Sequence, residues 1–232
     1  MFQGIIILNL DQRPDRLKRT LEQIAASDLS ALPLYRLRAH DGSALNMDTL
    51  LTSTAEAEMA NLARTGTRRF HAQLSPGAVG CYLSHVDAWR FIAEKGSANP
   101  YLVLEDDVTL RPQALAFLHA AWARGKAKAG SLPLFQLYMM ISCMAGCEPG
   151  ADGMYEPKAW WGTQAYALSA SDAAALLKAP GLFPMDIQID SKLRHLRDAG
   201  HLTVQVLQFF ESNSRDTNIQ MWTVKDAPID RP

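Results

Sequence analysis

A β-branched run, GIIILNL at 4–10, is followed after only Asp11 and Gln12 by RPDRLKRTLEQIAAS. The run does not alternate with polar residues, so it suits a strand covered on both faces. The segment after it carries Pro14 where a first helical turn accepts proline, with Leu17, Leu21, Ile24 and Ala25 on one predicted face. A buried strand feeding a helix opens an α/β unit, in which helices pack on both sides of a mostly parallel sheet. Few other architectures cover both faces of such a strand.

The same alternation continues along the chain. LYRLRAHDG (34–42) reads as a short strand with a turn at Asp41-Gly42. Residues 46–70 are polar and rich in Ala and Thr, and read as a surface insertion with weak helical character. Residues 74–96 predict a helix with Ser75 as N-cap, Pro76 in the first turn and Gly96 beyond the last. Its apolar residues fall on more than one face, so it is expected to be buried on most sides. YLVL (101–104), LPLFQLYMMIS (132–142), GTQAYALS (162–169) and LTVQVLQFF (202–210) read as strands. Residues 171–179 and 186–200 read as helices, and those after 211 as a polar tail. No linker stands out, so a single domain over 1–232 is expected.

Composition narrows the class. The 232 residues are 48% hydrophobic, enough for a substantial core. The net charge of −1 lacks the basic excess of a nucleic-acid binder, so no nucleic-acid partner is expected. Three cysteines, Cys81, Cys143 and Cys147, argue against a disulfide framework and fit a reducing compartment. The first residues have no basic segment and too short an apolar run for a signal peptide, and no stretch is long enough to cross a bilayer. The expected location is the cytoplasm.

The chemistry concentrates where YLVL runs into Glu105, Asp106 and Asp107. Ligands of open α/β sheets sit beyond the carboxyl ends of strands. Acids at such an end can hold Mg²⁺ or a similar hard cation against substrate phosphates, or can merely cap a helix or face water. Arg13 and Arg16, after the first strand, can bind phosphate or pair with Asp11 and Asp15. Ser84 and His85 are adjacent on a helix, so their side chains diverge and they form no hydrolase dyad. Trp160 and Trp161 offer a sugar platform or core packing. Asp186 and Asp190 are expected on one helical face, as a general base or as solvated acids. No G-x-G-x-x-G, Walker A loop or G-x-S-x-G elbow is present.

In this order, ILNLDQRPDR, LSPGAVGCYLSHVDAWR, YLVLEDDV and WWGTQAYALS, with FPMD as a weaker fifth, resemble glycosyltransferase family 25. That family includes lipooligosaccharide-biosynthesis and collagen galactosyltransferases. The pieces span about residues 5–190. The resemblance implies a GT-A-like Rossmann-type sheet, a nucleotide-sugar donor (commonly UDP-galactose) and Mn²⁺ or Mg²⁺. Asp107 and Glu105 would be metal ligands. Asn9, Arg13, Arg16, Ser84, His85, Glu105, Asp106, Gly162 and Thr163 would lie by the donor. Asp186 would be the base that deprotonates an acceptor hydroxyl, with Asp190 and Glu211 as alternatives, and the reaction would invert. The partners implied are the donor and a glycan acceptor, lipid-linked in bacterial members, with at most peripheral contact at the cytoplasmic membrane face. Two other readings use a similar sheet: a nucleotidyltransferase, which would need a glycine-rich triphosphate loop, and a sugar-nucleotide-binding protein without transferase activity.

Overall fold

The computed structural model describes residues 2–110, 114–116, 118–119, 122, 133–136, 162–206 and 211–212. The strands are β1 (Gly4–Asn9), β2 (Leu34–Arg38), β3 (Tyr101–Glu105), β4 (Val108–Thr109), β5 (Pro133–Gln136), β6 (Ala165–Leu168), β7 (Thr203–Val206) and β8 (Glu211–Ser212). The helices are α1 (Pro14–Ala25), α2 (Ser53–Thr65), α3 (Pro76–Lys95), α4 (Ala170–Leu176) and α5 (Ile189–Asp198).

Six strands form one sheet in the order β2-β1-β3-β6-β5-β7, and β4 pairs with β8 in a small ribbon. β1 runs parallel to both β2 and β3, while β6 runs antiparallel to β3 and to β5. Side-chain alternation then divides the core in two. Ile6, Leu8, Val103 and Tyr166 pack with α3 and α5, while Ile5, Ile7, Leu102 and Leu104 pack with Ile24 of α1 and with Ala114, Leu118 and Trp122. The α/β fold class expected from the sequence is what forms, a Rossmann-type sheet with helices on both faces. α3 is buried around much of its circumference, Val79, Tyr82, His85, Val86, Trp89 and Ile92 all being inaccessible. Its Ser75 cap accepts from the Ala78 N–H at 3.3 Å, and Gly96 closes it in the left-handed conformation at φ +65°.

Several expectations change. Of the face expected on α1, Ile24 is buried and Leu17 packs partly buried against the core. Leu21 is 39% exposed and Ala25 is exposed too, while Arg16 and Thr20 face inward beside Ile24. Residues 46–70 are no loose insertion: Leu51, Ala55 and Leu62 are buried, and Leu51 bridges to Met185. The last helix starts at Ile189, so Asp186 lies before it and does not share a helical face with Asp190. Residues 211–212 are not plain tail but strand β8, with Glu211 in register opposite Thr109. Cys143, Cys147, Trp160 and Trp161 lie outside the described residues, as do parts of the strands expected at 132–142 and 202–210.

Candidate active site

Because β1 and β3 are parallel, with Leu8 in register with Glu105, Asn9 and the acidic triplet meet at one end of the sheet. A cleft of about 360 Å³ opens there. Its walls include Arg16, His40, Ser84, His85 and all three acids, Glu105, Asp106 and Asp107.

The three acids have different surroundings. Asp106 is saturated by protein. Its Oδ2 accepts from Asn9 Nδ2 at 2.6 Å, its Oδ1 from Arg16 Nη1 at 3.1 Å, and its backbone oxygen from Thr20 Oγ1 at 3.2 Å. Asn9 is itself fixed, since its Oδ1 accepts from Arg36 Nε at 3.0 Å. This network is why α1 turns a polar stripe inward: a buried carboxylate needs partners more than the Leu21 stripe needs cover.

Glu105 Oε1 accepts from Thr163 Oγ1 at 2.9 Å and faces His85 Nε2 at 3.2 Å. Asp107 is only 3% exposed, and its Oδ1 is buried with no hydrogen-bond partner among the described residues. Burial first, and the Glu105 charge second, push its carboxyl up to about 8. A buried acid beside another acid, with an oxygen left over, suits a hard cation with oxygen ligands. Glu105 and Asp107 therefore fit the divalent ion the resemblance implies. Cys81 Sγ, His85 and Glu105 also bring ligand atoms within 4.8 Å of one another. There, however, burial and the Glu105 charge push the Cys81 thiol well up, and His85 Nε2 faces Glu105 as a hydrogen-bond partner.

The remaining expected site residues divide. Ser84 donates to Gly80 O at 2.7 Å and accepts from the His40 N–H at 2.9 Å, tying the cleft wall to α3. Arg13 pairs with Asp15 at 2.8 Å and does not line the cleft. Thr163 reaches the site through Glu105. Gly162 donates its N–H to Asp190 Oδ2 at 3.0 Å. Asp190 Oδ1 accepts from the Ser191 N–H at 2.6 Å, so both its oxygens hold backbone. Asp186, with its side chain 44% exposed, lies 2.6 Å from Lys192 Nζ as an ion pair, although the angles do not make it a good hydrogen bond. Neither Asp186 nor Asp190 lines the cleft. β8 brings the backbone of Glu211 beside the strand that follows Asp107. Sequence reasoning missed Thr20, Trp89 and Tyr166; the i, i+4 spacing of Arg16 and Thr20 was the available signal for the first.

A sequence model of "Glycosyltransferase family 25 (LPS biosynthesis protein)" matches residues 2–141, well over half of the chain. The chain belongs to glycosyltransferase family 25. The matched region holds Asn9, Arg16, His85 and the acidic triplet. Protein R655 of Acanthamoeba polyphaga mimivirus, named as a glycosyltransferase, is 31% identical over 108 residues, 47% of this chain and 29% of its own length. Procollagen galactosyltransferase 1 of Danio rerio is 31% identical over 108 residues, 46% of this chain and 16% of its own. The matches thus span less than a third of those relatives. Among solved structures, a CMP:2-keto-3-deoxy-manno-octonic acid synthetase complexed with CTP aligns over 89% of this chain and 90% of its own, at 15% identity and a TM-score of 0.41. No helix among the described residues is long and apolar enough to cross a membrane.

Proposed function

We propose that this family 25 chain is a metal-dependent glycosyltransferase that moves a sugar, galactose in the first instance, from a UDP-sugar to a glycan acceptor of the lipopolysaccharide or other surface-glycan kind. The observation that carries this is the buried Asp107 oxygen, without a hydrogen-bond partner among the described residues, beside Glu105 at the end of β3 in the wall of a cleft.

Glu105 and Asp107 would hold the Mn²⁺ or Mg²⁺. Bound there, such an ion neutralises charge on a departing diphosphate. Asn9, Arg16 and Thr20 hold Asp106, and with it the turn that presents the other two acids. The Ser84–His40 contact would keep that part of the cleft wall in place for the donor. In transfer, an acceptor hydroxyl oxygen bonds to the anomeric carbon as the bond from that carbon to the diphosphate oxygen breaks. The attack comes from the face opposite the departing diphosphate, so the reaction inverts, and the hydroxyl proton passes to a carboxylate on the attacking side. Asp186, which lies outside the cleft wall and pairs with Lys192, is the proposed base because it is partly exposed, whereas both Asp190 oxygens already hold backbone amides. Work would take place at the cytoplasmic membrane face, with peripheral contact at most.

Thermal shift with UDP-, GDP- and CMP-sugars, each with and without Mn²⁺, tests the donor and the metal together. The expected result is a shift with UDP-galactose plus Mn²⁺, lost in Asp107→Asn, and UDP release that requires the metal. Metal-independent UDP release, undiminished in Asp107→Asn, would overturn the proposal. Tight donor binding with neither hydrolysis nor transfer would leave a binding protein instead.

A further inference from the structure

Tyr166 lies on β6, in register with Val103 and two residues from the Glu105 end of β3. Its ring faces α3, where Trp89 and His85 sit one turn apart, and all three side chains are almost fully buried. Trp89 Nε1 can only donate, and it donates to the Tyr166 hydroxyl oxygen at 3.0 Å. The Tyr166 proton then has His85 Nδ1 as its acceptor, at 2.9 Å. An accepting Nδ1 leaves the proton of a neutral imidazole on Nε2, and Nε2 faces Glu105 Oε1 at 3.2 Å. This one arrangement satisfies every polar atom in the chain of contacts. The same Glu105 oxygen also accepts from Thr163 at 2.9 Å. Oε1 is thereby doubly held, and Oε2 has no protein partner among the described residues.

We propose that His85 and Tyr166 are positioning residues: Tyr166 fixes the His85 tautomer, and His85 Nε2–H fixes Glu105 by one oxygen so that the other is presented to the cation. The inference rests on reading Glu105 and Asp107 as the cation's ligands. Groups that orient a ligand in this way typically govern metal affinity by about 10- to 100-fold. The anchoring has a geometric logic. Glu105 ends a strand and is followed by a turn, whereas Trp89 and His85 ride a long, buried helix. The chain of donors carries the rigidity of α3 to a carboxylate at the lip of the cleft.

The test is Mn²⁺ binding to the purified chain without donor or acceptor, read by electron paramagnetic resonance of the free ion. His85→Ala is expected to weaken Mn²⁺ binding at least about tenfold. His85→Gln, which can still donate an N–H to Glu105, is expected to recover most of that loss, and Tyr166→Phe to fall between. Where His85→Ala alters folding, seen in its thermal midpoint, the Gln and Phe variants carry the comparison. In a Glu105→Gln background, His85→Ala should add almost nothing, because residues acting through one partner are not additive. Binding in His85→Ala equal to the unaltered chain, or a full separate loss in the Glu105→Gln background, overturns the inference while the cation site stands. If the unaltered chain binds no Mn²⁺, or Asp107→Asn binds it equally well, the cation reading itself has failed and the inference falls with it.

Discussion

Arg16 and Asp106, 90 residues apart in sequence, form a buried ion pair at 3.1 Å that fastens α1 to the turn after β3. The pair is almost wholly shielded from solvent, so removing one partner leaves the other buried charge without its closest counter-charge. Arg16→Leu is therefore expected to destabilise the chain by about 3–5 kcal/mol in urea unfolding. Asp106→Leu should cost a similar amount. The double variant should cost clearly less than the sum, since neither charge is then left alone. Full additivity would mean that the pair does not couple the two segments.

Asp107 makes the stability depend on pH. Its carboxyl is raised from 3.8 in the unfolded chain to about 8 in the folded one. The folded state then holds the proton that the unfolded state releases across this window. The contribution is fully present below about pH 4 and is lost as pH rises toward 8, with a slope of up to about 1.4 kcal/mol per pH unit. Asp106, raised in the same direction by burial, adds to the trend. Metal-free Asp107→Asn should show a flatter curve from pH 5 to 8. At pH 8, Mn²⁺ should restore stability to the unaltered chain but not to the variant, because the ion binds only the charged folded form. Denaturant midpoints across this pH range decide the matter; parallel curves would count against a buried Asp107.

The fold could be read largely from local pattern. β1, α3 and β3 carry strong signals: unbroken apolar runs, and for α3 a serine cap, an early proline and a closing glycine. The acids at the β3 end were visible for the same reason, as charges where an apolar run stops. What failed was whatever depended on distant partners. The apolar stripe of α1 was a sound local inference, but Asp106 drew Arg16 and Thr20 inward. The placing of Asp186 and Asp190 on one helical face assumed a helix start three residues too early. Pairing of β8 with β4 joins residues with no common local signal. Tyr166 read as one more strand aromatic, because its role exists only through His85 and Trp89.

Gly80 should tolerate no side chain. A Cβ there would lie 2.4 Å from the His40 carbonyl oxygen and 2.8 Å from the Gly42 nitrogen, both backbone atoms with little freedom to move. Gly80→Ala must push the 40–42 segment away from α3, and that segment lines the cleft. A stability loss of about 1–3 kcal/mol is expected. Nucleotide-dependent thermal shift should fall further than the stability loss alone explains, because the Ser84–His40 contact is broken with it. An unchanged shift would place the donor away from this wall.

Asp190 offers a way to tell a structural acid from a base. Its two oxygens accept the N–H groups of Gly162 and Ser191, and Gly162 sits at φ +95°, immediately before the Thr163 that donates to Glu105. Asp190 is also a carboxylate whose charge favours the buried Arg68 cation. Asp190→Ala should therefore cost about 1–3 kcal/mol in unfolding and weaken Mn²⁺ binding, since Thr163 loses its anchor. Asp190→Asn keeps one acceptor oxygen and should recover part of both. Asp186→Asn should instead leave Mn²⁺ binding nearly unchanged while abolishing sugar transfer, with only the stability loss that follows from taking the counter-charge from the buried Lys192. The contrast is one of readouts: a base removes turnover with metal binding intact, whereas a scaffold acid loses the two together. If Asp190→Asn were fully stable, bound Mn²⁺ normally and failed only in transfer, the roles assigned to the two acids would be exchanged.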